Sequence, residues 1–165
     1  MRAVKVILGG VVVFFAVYLI QTWLGSALGQ AESFAIWWLL VLASIEEVGK
    51  LSPVFFLNKE VGRYDLMKYA VLSAWTLAVI ETFFFEWGAL SDGQGFNWVR
   101  PILAVNVHVV ATLIASSYWT RNRRFADLLK GLLIAVLVHT LFNIIVINWV
   151  EIIHSFIPNF VHKIS

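Results

Sequence analysis

Residues 34–57 read FAIWWLLVLASIEEVGKLSPVFFL. A helix needs about 20 apolar residues to cross a bilayer, and this run is long enough. It is broken near its middle by Glu46, Glu47 and Lys50. Each charge at the centre of a membrane helix costs roughly 2.5–3.5 kcal/mol on insertion scales. Three together approach the whole insertion energy of a helix, so they must pair, neutralise or face a wet cavity. What the rest of the chain is made of decides how this stretch is read.

The chain has 165 residues, 61% of them hydrophobic and 13% charged, with a mean hydropathy of +0.85. A soluble domain carries nearer a quarter charged residues. This chain cannot cover its surface in water, and lipid is the solvent that suits it. Its length allows one domain. Cysteine is absent, which excludes a disulfide framework, a thiolate nucleophile and a Cys-rich zinc site. The pI near 9.0 does not point to nucleic acid, because the basic residues lie at the ends of apolar runs.

Five runs are long enough to span: 6–24, 34–57, 69–87, 102–119 and 132–150. An open sheet edge is not viable in lipid, so all five are read as helices of an all-α, polytopic membrane helix bundle forming one transmembrane domain over 1–165. Arg2 and Lys5 precede the first run. Lys59, Arg63 and Lys68 follow the second, and Arg121, Arg123, Arg124 and Lys130 follow the fourth. The first loop has no basic residue, the third only Arg100, and the tail only Lys163. The positive-inside rule therefore puts the N-terminus in the cytoplasm and the C-terminus outside. Trp23, Trp37, Trp87 and Trp149 fall near the outer helix ends, where tryptophan prefers to sit. A signal peptide ending at Ala27-Leu28-Gly29 is the competing reading of the first run. That run exceeds the roughly 7–15 apolar residues of such peptides, so the first run is expected to stay as a helix.

Polar residues recur inside the other runs: Glu81 and Glu86 in the third, Asn106 and His108 in the fourth, His139 and Asn143 in the fifth. Glu46 and Lys50 are four apart, share a helix face and can pair. His139 and Asn143 repeat that spacing, as do His108 and Thr112. Asn106 is read as packing glue and Glu86 as interfacial. Pro53 removes the hydrogen bond to the Gly49 carbonyl beside the charges. The remaining set suits hydrolysis by an activated water. A carboxylate in a low-dielectric site acts as general base, imidazole orients water, and a His–Asn pair one turn apart aims two donors at an oxyanion. Ser44, Ser52 and Thr112 lack the base–orienter arrangement of a triad, which disfavours a serine enzyme. Zinc takes Glu and His, but the HExxH spacing is missing and Lys50 lies beside the carboxylates. A metal is thereby disfavoured but stays possible, and no metal or other cofactor is assigned.

On these residues the sequence resembles the PrsW family of membrane proteases. That family lies within the CAAX protease and bacteriocin-processing superfamily of glutamic-type intramembrane endopeptidases. The resemblance rests on Glu46-Glu47-x-x-Lys50, on Glu81 in Ala78-Val79-Ile80-Glu81-Thr82, on His108 following Arg100, and on His139-x-x-x-Asn143. It implies a protease of membrane-associated protein substrates in a prokaryotic cell membrane. Glu46 would be the general base, with Glu47 assisting and His108 helping to bind the water. His139 and Asn143 would stabilise the oxyanion. Glu81 would orient a neighbour or share a proton, and Lys50 would pair with a carboxylate. The competing functions are a proton- or ion-coupled transporter, since buried Glu, Lys and His also build proton relays, and a non-catalytic membrane adaptor.

Overall fold

The computed structural model describes residues 2–28, 36–55, 61–91 and 99–156. They form five helices: α1 (Arg2–Leu28), α2 (Ile36–Phe55), α3 (Arg63–Ser91), α4 (Val99–Asn122) and α5 (Phe125–Phe156). Among the described residues there is no strand. The protein is the all-α membrane helix bundle that its composition implies. Four helices, α1, α3, α4 and α5, are long and apolar enough to cross a membrane. α2 has 20 residues, enough length to span, but it carries three charges. α1, α3, α4 and α5 overrun their apolar cores by a turn or two into polar flanks, as where α3 starts at Arg63 and α5 carries Asp127 in its first turn. Helical hydrogen bonding continues across the interface where hydrophobicity stops. Gly29, Lys59 and Lys163, used above for processing and orientation, lie outside the described residues.

Sequential helices run antiparallel. A Cβ on Gly9 would stand 3.0 Å from Pro53, and one on Gly49 would stand 2.9 Å from Val13 and from Val17. These contacts bring α1 and α2 together with opposed directions. The α4–α5 hairpin turns through Arg123, whose φ of 53° lies in the left-handed region that non-glycine residues seldom adopt. Its N–H donates to the Trp119 carbonyl at 2.8 Å. Its guanidinium donates to the Val61 carbonyl at 2.9 Å, tying this turn to the start of α3. So tight a turn keeps α4 and α5 in close contact: a Cβ on Gly131 would lie 2.8 Å from the Ala115 carbonyl oxygen.

Leu51, Val54, Leu66, Ala70, Ala111, Ala115, Trp119 and Ala135 form one buried apolar cluster. It occupies the end of the bundle where α2 and α4 finish and α3 and α5 begin. Small residues there let the backbones approach closely, which is how membrane helices gain packing energy without a hydrophobic driving force. The outer faces carry exposed Leu19, Phe83, Ile102, Leu133 and Leu141, a surface that only lipid covers without cost. The Gly49 carbonyl, left without its helical donor by Pro53, accepts the Ser52 hydroxyl at 2.8 Å. A hydroxyl thus repairs the backbone in the turn after the charged residues.

Candidate active site

One helical turn beyond the apolar cluster the interior becomes polar. Glu46, Glu47, Lys50, His108 and His139 are all buried there. α2 supplies the first three, α4 supplies His108 and α5 supplies His139. The turn from Ala135 to His139 on α5, and from Ala111 toward His108 on α4, marks the border between the two regions.

Glu47 and Lys50 form a fully buried ion pair, and the Lys50 ammonium donates to Glu47 Oε1. Sequence spacing had paired Lys50 with Glu46. The i,i+3 partner takes it because Glu47 is wholly enclosed, and an enclosed carboxylate most needs a counter-charge. The same Oε1 lies 2.8 Å from His139 Nδ1. His139 Nε2 lies 3.3 Å from Glu46 Oε2. His139 therefore bridges the two adjacent carboxylates of α2, one at each ring nitrogen.

Glu81 of α3 reaches His108, its Oε2 standing 3.2 Å from Nε2. The other nitrogen, Nδ1, is buried and has no hydrogen-bond partner among the described residues. The rings of His108 and His139 meet edge to face, with centroids 4.7 Å apart. His108 thus leans on a carboxylate at one nitrogen and His139 on a carboxylate at each. Such a carboxylate–histidine contact fixes the ring and its tautomer. One donor atom from each of Glu46, His108 and His139 lies within 4.8 Å of the others.

Asn143 sits one turn beyond His139 on α5, half-buried, as its spacing implies. It makes no hydrogen bond through its side chain among the described residues. Asn106, read as glue between helices, is exposed and donates to the Ile102 carbonyl of its own helix at 2.7 Å. Glu86, read as interfacial, is buried. A residue that sequence reasoning passed over also enters the site. Gln21 of α1 donates through Nε2 to Glu46 Oε1 at 2.7 Å. A lone amide in an otherwise apolar run was the available signal, but its partner depends on how α1 and α2 are placed side by side.

Fold and site together define a polytopic membrane protein with carboxylates and imidazoles gathered inside its helices. The model of the PrsW family intramembrane metalloproteases matches residues 1–163. The chain belongs to this family and is a membrane-embedded protease. Comparison with curated proteins and with solved structures gave no match.

Proposed function

We propose that this protein hydrolyses peptide bonds of membrane-associated protein substrates with a water activated at Glu46. The observation that carries this reading is the convergence of Glu46, His108 and His139 from three helices to within 4.8 Å. Membrane helices do not bury such groups together for packing alone, because each is costly to insert.

The division of labour follows from the partners. Lys50 cancels the charge of Glu47, which leaves Glu47 to hold His139 by its Nδ1. No ammonium or guanidinium pairs with Glu46 among the described contacts, so its carboxylate remains available as base. Glu46 takes a proton from water as the oxygen attacks the scissile carbonyl, then returns it to the departing amine. His108, steadied by Glu81, positions that water. Asn143 has its amide free to donate to the oxyanion, and such a donor is worth about 2.7–4 kcal/mol in hydrolases. His139 is hydrogen-bonded to Glu47 at Nδ1 and faces Glu46 at 3.3 Å with Nε2, which supports a role beside Glu46 as well as a share in oxyanion binding. The whole chain acts as one transmembrane domain, with the N-terminus in the cytoplasm and the C-terminus outside a prokaryotic cell membrane.

A second reading is favoured by the donor set. Two imidazoles and a carboxylate are ligands that zinc accepts, and the objection raised by Lys50 weakens once Lys50 is bound to Glu47. After that pair cancels, Glu46 and Glu81 leave two formal negative charges, which two protons or one divalent cation would balance. Glu46, His108 and His139 would hold such an ion. When bound, it would acidify a neighbouring water and polarise the scissile carbonyl. Glu81 and Glu47 would orient the two imidazoles from behind.

The test uses purified protein in liposomes with a single-span substrate. Glu46→Gln and His108→Ala are expected to fold and to lose cleavage by at least about 100-fold, the lower scale of acid–base catalysis. Retained cleavage by both variants overturns the protease site as drawn. Chelator treatment separates the two readings. Unchanged turnover supports the glutamate-only mechanism, and loss restored by one divalent metal supports the second.

A further inference from the structure

Gln21 brings α1 into the polar cluster through a hydrogen bond to Glu46. Between Val6 and Leu24 the helix is apolar apart from Tyr18, Gln21 and Thr22. An amide in such a run is expensive unless it finds a partner. The partner it finds is the carboxylate assigned above to water activation. Gln21 Nε2 lies 2.7 Å from Glu46 Oε1, while Oε2 faces His139 Nε2 at 3.3 Å. We propose that Gln21 is a positioning residue for the reaction. It clamps one oxygen of Glu46 so that the other is presented to the imidazoles and the water. This inference rests on the reading of Glu46 given above.

Three observations carry it. First, the adjacent carboxylates of α2 are treated differently. Glu47 receives an ammonium from Lys50, whereas Glu46 receives a neutral amide. A neutral donor fixes the rotation of the carboxylate without cancelling its charge, which is what a base or a ligand requires. Second, the backbone contact that brings Gln21 into range is close. Gly49 lies three residues after Glu46, and there a Cβ would meet Val13 and Val17 at 2.9 Å. Those valines stand one and two turns before Gln21 on α1, so the α1–α2 contact and the hydrogen bond form one continuous seam. Third, Glu46 Oε2 stands 3.3 Å from His139 Nε2 but accepts no hydrogen bond from the described residues. The clamp on Oε1 is therefore the hydrogen bond that orients this carboxylate among the described residues.

The experiment compares wild type, Gln21→Met and Gln21→Glu in liposomes with the same single-span substrate, and measures kcat and KM separately. Gln21→Met keeps the length of the side chain and removes the donor. Gln21→Glu keeps its shape and places a like charge against Glu46. Loss of an orienting partner of this kind costs 10–100-fold. Both variants are expected to lower kcat by about that factor, with KM within about twofold and thermal unfolding unchanged. Infrared difference spectra give an independent readout: the carboxylate band that Glu46→Gln removes should shift in Gln21→Met. An unchanged kcat in both variants, with the wild type active, overturns the role of Gln21 and leaves the protease reading intact. A fall in kcat accompanied by an equal rise in KM and lower thermal stability, with the band unmoved, overturns it in favour of packing. Cleavage retained by Glu46→Gln would instead remove the reading of Glu46 on which this inference stands.

Discussion

At the scale of single residues, the two neighbouring glutamates of α2 differ only in what surrounds them. Glu47 and Lys50 are both fully enclosed and bonded to each other, and Glu47 also meets His139. Removing one partner of a buried pair leaves an uncompensated charge, at a cost of about 3–5 kcal/mol. Lys50→Met is therefore expected to destabilise the protein by about that amount in denaturant titrations in detergent. The double variant Lys50→Met with Glu47→Gln should recover most of the loss, because no charge is then left alone. Equal stability of Lys50→Met and wild type would show that Glu47 is not relying on its lysine. Spacing in the sequence identified the participants but paired Lys50 with Glu46. Both i,i+3 and i,i+4 partners lie on one helix face, and only burial distinguishes them.

At the scale of helices, the site depends on how closely α4 and α5 approach, because His108 and His139 stand on one each. Gly131 sets that approach: an added Cβ would lie 2.8 Å from both the Ala115 oxygen and Tyr118 Cβ, and 3.0 Å from Ala115 Cα. Two of those atoms belong to backbone and cannot rotate away. Gly131→Val should cost about 1–3 kcal/mol, the usual price of overpacking, and lower turnover by spreading the two imidazoles. Gly25→Val is the control, since no described residue lies within 4 Å of a Cβ there. Equal stability and turnover of the Gly131 variant and that control would mean that the helices part without consequence. The α1–α2 seam at Gly49 obeys the same rule. Small residues matter here because van der Waals packing, not water, drives association inside lipid.

At the scale of the whole molecule, the basic loops of the sequence put the start of α1 and the start of α3 in the cytoplasm, an expectation that labelling tests. The chain has no cysteine, so single cysteines report topology without background. Ser26→Cys, at the end of α1, should react with a membrane-impermeant maleimide added outside intact cells. Tyr64→Cys, at the exposed start of α3, should react only after permeabilisation. The reverse pattern would invert the orientation read from the basic loops. The expected labelling pattern would put the apolar cluster on the cytoplasmic side of Glu46, His108 and His139.

The amino-acid sequence by itself determined that this is an all-α membrane protein. Hydrophobic runs near 20 residues admit only helices in lipid, and that constraint is local to each segment. It also singled out Glu46, Glu47, Lys50, Glu81, His108, His139 and Asn143, because a charged or imidazole side chain in an apolar run is anomalous wherever the run packs. Tertiary structure decided the rest. It chose Glu47 as the partner of Lys50, placed His139 between two carboxylates, set Glu81 against His108, buried Glu86 and brought in Gln21 from α1. Each of these depends on the rotation and register of one helix against another. A helix in lipid can satisfy its own backbone whatever its neighbours do, so nothing within a single run encodes which face meets which.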